Sequence, residues 1–279
     1  MVESLRTRDG RRLTFRRVGH GPVLICHPGG PGYSADYLAD VAGLGDAFSL
    51  ILLDPRGTGD SDTPQDPRAY ATSDYVADVE DLRVHLGEDR LDLLGHSHGG
   101  IVTMAYAAAH PERTRRLVAL DTLVRWHPEE WERLLPRHRD EPWYEAARAA
   151  FLASDADDIA EDGSRRSEAY MPLYFSRYDA RARRYVEEVL SKTTPNDDPL
   201  RLFGEDETWD MRPALASIEA PTLVVTGEHD LVAGPACADD IADGIRGSRL
   251  VLIEACGHFS FIEQPERVRE LVTEFLRPG

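Results

Sequence analysis

The run Leu91-Asp92-Leu93-Leu94-Gly95-His96-Ser97-His98-Gly99-Gly100 decides how the chain is read. An apolar, strand-like stretch enters a Gly-x-Ser-x-Gly turn and passes directly into a segment with helical periodicity. Such a turn holds its serine at a sharp strand-to-helix apex, where the backbone is strained and β-carbons at positions 95 and 99 would collide with their neighbours. The N–H groups that open the helix point back toward the serine and favour chemistry in which negative charge develops. Ser97 is therefore the candidate nucleophile.

Outward from this turn the N-terminal third alternates between strand and helix patterns. Two polar strands near residues 4–7 and 12–18 are joined by the Asp9-Gly10 turn signal. Apolar strands follow at 23–26, 50–53, 91–94 and 117–120, with helices expected at 35–47, 73–86 and 99–110. This alternation implies an α/β fold, a parallel sheet with helices on both faces. After Asp121 the rhythm changes. Residues 124–213 hold Trp126, Trp131 and Trp143, many Arg/Glu pairs and helical periodicity at 131–135, 143–152 and 181–190, but no convincing strand. This stretch reads as an inserted helical cap on a core formed by residues 1–123 and 214–279. Strands at 222–225 and 250–253 then resume the alternation, with helices near 235–245 and 265–276.

A serine nucleophile needs a base to take its proton and an acid to orient that base. His258 lies in Glu254-Ala255-Cys256-Gly257-His258-Phe259, directly after the last expected strand. Asp230 follows Thr226-Gly227-Glu228-His229 in the loop after the preceding strand. The order Ser, Asp, His places all three at carboxyl ends of strands, where open α/β sheets build their sites. Asp121, also at a strand end, is the alternative acid. His96 and His98 project from the turn itself and are badly placed to be the base, and His229 reads as a loop residue. A second signature, His27-Pro28-Gly29-Gly30-Pro31-Gly32, follows the strand that ends at Cys26. Gly29 and Gly30 let backbone N–H groups approach a substrate oxygen, and the prolines hold the loop's shape. With the N–H of His98, Gly30 would complete an oxyanion hole, while the His98 imidazole would line the pocket.

These residues together resemble the α/β-hydrolase superfamily and, within it, the proline iminopeptidase-like branch (peptidase S33). The resemblance rests on Pro28-Gly29-Gly30-Pro31-Gly32 with Ser34-Ala35-Asp36-Tyr37-Leu38, and on Asp54-Pro55-Arg56-Gly57-Thr58-Gly59-Asp60-Ser61-Asp62. The elbow, Gly227-Glu228-His229-Asp230 and Cys256-Gly257-His258 complete it. It covers about residues 13–110 and 214 to the C-terminus. It implies a mostly parallel eight-stranded sheet under a helical cap, and a Ser/His/Asp hydrolase that releases small N-terminal residues, often proline, from short peptides. Such an enzyme needs carboxylates to hold the substrate's free amine, since an unpaired buried ammonium costs several kcal/mol. Glu205 and Glu207, near the end of the cap, are the candidates.

Two departures from the branch are visible: His98 follows the nucleophile where an aromatic residue is common, and Leu231 follows the acid where some relatives carry glutamate. Both leave an ester, a lactone or a carbon-carbon bond next to a ketone open as the substrate. A non-catalytic small-molecule binding protein on the same fold is a reading from another class.

Composition narrows the partners. With 50 acidic against 32 basic residues and a net charge of -18, the chain would repel nucleic acid at long range. The charge mainly supports solubility and secondarily favours cationic substrates. No stretch has the features of a targeting segment or the length of a membrane span, so a cytoplasmic protein with no membrane partner is expected. Cys26, Cys237 and Cys256 have neither disulfide nor zinc spacing, and no cofactor is expected. The implied partner is a small molecule or short peptide, and a homo-oligomer is left open.

Overall fold

Eight strands form one sheet in the computed structural model, which describes residues 2–66, 68–153, 166–205 and 210–277. They are β1 (Val2–Arg6), β2 (Arg12–Gly19), β3 (Val23–His27), β4 (Ser49–Asp54), β5 (Leu91–His96), β6 (Thr114–Leu120), β7 (Thr222–Gly227) and β8 (Arg249–Ile253). Their order across the sheet is β1-β2-β4-β3-β5-β6-β7-β8. β2 runs antiparallel to β1 and β4, and every other neighbouring pair is parallel.

The central strands are apolar at consecutive positions because both faces are covered. Ile25 and Leu93 point into one core with Leu117 and Val224, whereas Leu24, Cys26, Leu94 and Val118 point into the other. Helices α1 (Thr72–Leu86) and α2 (His98–Ala109) seal the first face with Tyr75, Val79, Leu82, Ile101, Val102 and Met104. Among the described residues six helices follow before β7: α3 (Pro128–Leu134), α4 (Tyr144–Leu152), α5 (Arg166–Tyr170), α6 (Ala180–Glu188), α7 (Asp197–Glu205) and α8 (Arg212–Leu215). The chain closes with α9 (Pro235–Gly244) on the first face, the short α10 (Ser260–Glu263), and α11 (Pro265–Leu276). On α11, Val268, Leu271, Val272 and Leu276 recur at helical spacing and fill the second core.

Among the described residues between β6 and β7 there is no strand. The two ends of this stretch meet where the Met211 N–H donates to the Val124 carbonyl at 3.1 Å. A small third core joins it to the sheet, with Leu134, Leu135, Tyr144, Ala147 and Leu173 packing on Leu231 from the loop after β7. No helix among the described residues is long and apolar enough to cross a membrane. All three cysteines are buried and unbridged.

The helix expected over 35–47 does not form. Two 3-10 turns, Ala35–Leu38 and Leu44–Asp46, stand there instead, separated by left-handed residues at Ala39, Val41 and Ala42. Tyr37, Leu38, Val41 and Leu44 are buried all the same. Burying those side chains against the sheet outweighs the strain of the left-handed backbone between them.

Candidate active site

The parallel register brings the working loops to one edge. His27 of β3 is level with Gly95 of β5, and His96 is level with Leu120 of β6. The segments that emerge next carry Gly29 and Gly30, then Ser97, then Asp121, while the loops after β7 and β8 carry Asp230 and His258. Five chain segments far apart in sequence thus converge because parallel strands all end on the same side.

Ser97 has φ 54° and ψ -128°, a backbone conformation that side-chain-bearing residues adopt only under strain. It is held there from both sides: its N–H donates to the Leu120 carbonyl at 3.1 Å, and its carbonyl accepts from Thr122 Oγ1 at 2.6 Å. Gly99 is obligatory at the turn, since a β-carbon there would lie 2.2 Å from the His27 carbonyl oxygen.

His258 is buried, and its Nδ1 lies 2.8 Å from Asp230 Oδ2. The other carboxylate oxygen of Asp230 accepts from the N–H groups of Val232 and Ala233 at 2.8 and 2.9 Å. This three-donor setting keeps the carboxylate aimed at the ring and assigns the His258 proton to Nδ1. Nε2 has no hydrogen-bond partner among the described residues, and His258 and Ser97 line the same cavity.

Asp121, the alternative acid, turns away from His258. Its Oδ2 accepts from the N–H and hydroxyl of Ser260 at 3.0 and 2.6 Å, and its Oδ1 accepts from the Gly227 N–H at 3.3 Å. Burial, reinforced by the Asp230 charge, holds its carboxyl well above the ordinary carboxylate range. It ties the end of β6 to the loop that carries the base.

Gly30 lines the cavity, and neither its N–H nor that of His98 has an acceptor among the described residues. His98 opens α2, so its N–H also carries the positive end of the helix dipole. Gly29 does something different from what was expected. It packs on the nucleophile, where a β-carbon would come within 2.6 Å of Ser97 Cβ, and its N–H is engaged by the Tyr37 hydroxyl at 2.5 Å. The His98 imidazole also departs from expectation: it lies outside the cavity wall and packs edge-on against Tyr75 and Phe203, at 5.5 and 5.2 Å.

The cavity has a volume of about 170 Å³. Its walls are largely apolar and aromatic, with Trp126, Met171, Tyr174, Leu190 and Leu200 from the helical insertion facing Val232 and Phe259 from the core. Asp197, the first residue of α7, is the one carboxylate in the wall among the described residues. Glu205 ends α7 and its side chain lies outside the described residues, as does Glu207 altogether. Leu231 is buried under the helical insertion rather than turned to the cavity. Trp131, Trp143, Tyr144 and Phe175 pack within the cores instead of lining the site.

Sequence reasoning missed three contributors. Tyr37 reaches His96 across 59 positions, and the Tyr174 carbonyl receives the His258 N–H at 2.7 Å. Asn196 donates to the Gly57 carbonyl and to the Tyr70 hydroxyl, fastening the insertion beside the cavity. Tyr37 lies within one of the quoted motifs, but no local pattern gives these residues their roles, because each partner lies in a distant segment. His229 is more than a loop residue: its Nδ1 accepts from the Ser176 hydroxyl at 2.7 Å and from Arg137 at 3.1 Å, so it joins the acid loop to the insertion.

Comparison with known proteins bears on the family and the fold. The family model described as alpha/beta hydrolase fold matches residues 22–265. A proline iminopeptidase of Saccharolobus solfataricus is 29% identical, over 94% of this chain and 87% of its own. Among solved structures, the enol-lactonase from Burkholderia xenovorans LB400 superposes with a TM-score of 0.72 at 26% identity, covering 98% of this chain and 99% of its own. The proline iminopeptidase of Mycobacterium smegmatis shares the fold with a TM-score of 0.68 at 22% identity, covering 99% of this chain and 97% of its own.

Proposed function

The chain belongs to the alpha/beta hydrolase fold family, and from that premise we propose that it is a serine hydrolase working through an acyl-enzyme, with N-terminal residues of short peptides as its first substrate class. The observation that carries the reading is the shared cavity. Ser97 on its strained turn and His258, with Asp230 on the far nitrogen, both face it beside the N–H of Gly30.

In this reading His258 Nε2 removes the Ser97 hydroxyl proton as Oγ attacks the substrate carbonyl carbon. The carbonyl oxygen takes up the negative charge and is met by the N–H groups of Gly30 and His98. Collapse of the tetrahedral intermediate expels the leaving group, which receives the proton from His258. Water then attacks the acyl-enzyme with His258 again as base, releasing the acid and restoring Ser97. Asp230 supports the transient imidazolium and keeps the ring in the productive tautomer.

Aminopeptidase action is supported by the Saccharolobus relative and by Asp197 in the cavity wall, a carboxylate suited to a substrate ammonium. A second reading, hydrolysis of a small ester or lactone, is favoured by the apolar character of the remaining wall and by Leu231 being turned into the packing. The likeness to an enol-lactonase at 26% identity points the same way.

Matched chromogenic substrates separate the two: prolyl and alanyl arylamides with free amines, their N-acetylated forms, and short acyl esters, with Ser97→Ala as control. Under the aminopeptidase reading, free amines are preferred over blocked ones. Asp197→Asn, or Glu205→Gln or Glu207→Gln, then raises KM for the free amines about tenfold or more, the loss of a charge-assisted hydrogen bond. Ester cleavage with arylamides untouched would sink the aminopeptidase reading and select the second.

A further inference from the structure

A continuous buried hydrogen-bond path runs from the loop after β3, through the nucleophile turn, to the loop that carries the base. The Gly29 N–H meets the Tyr37 hydroxyl at 2.5 Å, that hydroxyl lies 2.8 Å from His96 Nδ1, and His96 Nε2 lies 2.9 Å from the His258 carbonyl oxygen. We propose that Tyr37 and His96 form a positioning relay, setting the Gly29-Gly30 loop and His258 at the right heights relative to Ser97. This rests on the serine hydrolase reading above and adds to it two residues that touch neither the scissile bond nor its proton.

Hydrogen-bond chemistry leaves one consistent assignment of the protons. A carbonyl oxygen only accepts, so His96 Nε2 carries the hydrogen facing His258. In a neutral ring Nδ1 is then a lone-pair acceptor, so the Tyr37 hydroxyl donates to it, and the Tyr37 oxygen in turn accepts from Gly29. Every donor and acceptor in the path is used once, with none left over. Burial, followed by the neighbouring His258, holds the His96 imidazole well below its ordinary range, in keeping with a neutral ring. Protonating His96 would put two hydrogens between Nδ1 and the Tyr37 oxygen and a second positive charge beside the imidazolium of His258, whose ring centroid is 5.0 Å away.

The relay's ends are fixed independently. The His258 N–H is held by the Tyr174 carbonyl, so the backbone of the base is clamped on one side by the helical insertion and on the other by His96. Tyr37 is itself pinned, because its carbonyl accepts from the Tyr185 hydroxyl at 2.8 Å. Gly29 touches Ser97 directly, so a shift of the Tyr37 hydroxyl displaces the turn that carries the Gly30 N–H. Backbone groups from two separate loops therefore meet the Tyr37 and His96 side chains, and α6 holds the backbone of Tyr37.

The test uses the full-length enzyme with a short-chain p-nitrophenyl ester as substrate, an alkylboronic acid as tetrahedral probe, and fluorophosphonate labelling of Ser97. Tyr37→Phe removes one oxygen while keeping the ring. It is expected to lower kcat about tenfold with KM within about twofold, and to weaken boronic acid binding in parallel, as misplacement by a fraction of an ångström does. His96→Leu is expected to cost about 100-fold in kcat. His96→Gln, whose amide still donates to the His258 carbonyl, restores a large part of that loss, which a purely space-filling role for residue 96 would not produce. A Tyr37→Phe enzyme whose kcat and boronic acid affinity stay within twofold of wild type overturns the relay alone, whatever happens to its melting temperature. A wild type that neither labels at Ser97 nor turns over the ester or arylamides overturns the hydrolase reading, and the relay's role with it.

Discussion

At the residue scale the proposed mechanism gives Ser97 and Asp230 separable duties, and mutation should separate them. Ser97→Ala removes the atom that attacks and is expected to lower kcat by about 10⁴ or more without loss of fold. Asp230→Asn keeps the shape of the side chain but places an amide where His258 Nδ1 needs an acceptor, and is expected to cost about 10⁴ in kcat. Asp121→Asn should cost far less, because Asp121 holds Ser260 and Gly227 rather than the imidazole. Steady-state kinetics on the three variants checks the ranking, and equal losses at 121 and 230 would contradict this division of labour. The proposed nucleophile and base were both legible as residues, because Ser97 lies between Gly95 and Gly99 and His258 follows Gly257, each just past a strand end. Sequence also favoured Asp230 over Asp121, but which of the two buried carboxylates points at the ring is seen only in the fold.

Elements are held in place here by polar anchors as much as by apolar faces. Arg56, in the loop after β4, is 1% exposed and grips Asp78 of α1 through two hydrogen bonds of 2.7 and 2.8 Å. It also donates to the Ala69 and Asp74 carbonyls, so one guanidinium fixes the start of α1 against the sheet. Arg56→Met leaves Asp78 buried with only Arg11, 3.9 Å away, as a counter-charge. The expected loss is about 3 kcal/mol of stability, read as a lower midpoint in urea with the slope unchanged. An unchanged midpoint would mean that Arg11 takes over the pairing. The motif Asp54-Pro55-Arg56-Gly57 thus acts through architecture. The stretch over 35–47 shows the converse: its apolar spacing suggested a helix, but two 3-10 turns with left-handed residues between them bury those side chains against the sheet.

At the scale of the whole molecule, the sheet and the helical insertion meet across a seam that is sensitive to pH. Glu263 accepts from the N–H groups of Gly257, beside the base, and of Ser176 and Arg177 in the insertion, at 2.7, 2.9 and 3.3 Å. Burial pushes its carboxyl from the ordinary 4.5 up to about 7, against the lowering effect of the three backbone donors, with the Asp230 charge adding to the rise. Because the folded value is the higher one, its contribution to stability is complete below pH 4.5 and is lost as pH rises through about 7. Its own contribution to the melting temperature should therefore decline over that window, whereas the buried imidazoles of His27, His96, His98 and His138, held below their ordinary range, act in the opposite sense. Asp54, Asp78, Asp92 and Asp121 are shifted in the same direction as Glu263, so the informative quantity is the difference between wild type and Glu263→Gln. The variant should lose less than wild type as pH rises, and parallel curves would exclude Glu263 as a source of the pH dependence.

The order of the strands, the helices on either side of the Ser97 turn, and the positions proposed for the nucleophile, the base and the glycine-rich loop were legible in the sequence itself. Each is a local matter: periodicity, a backbone angle that only glycine tolerates nearby, or a residue placed just beyond a strand. Tertiary structure alone decided that Asp121 bonds Ser260 and Gly227 instead of His258, that Leu231 turns into the packing, and that Tyr37 and His96 join three loops. Those outcomes depend on side chains from segments tens to more than a hundred residues apart competing for the same few ångströms of buried space. Which hydrogen bonds survive there is set by geometry and desolvation, and no stretch of sequence holds both partners.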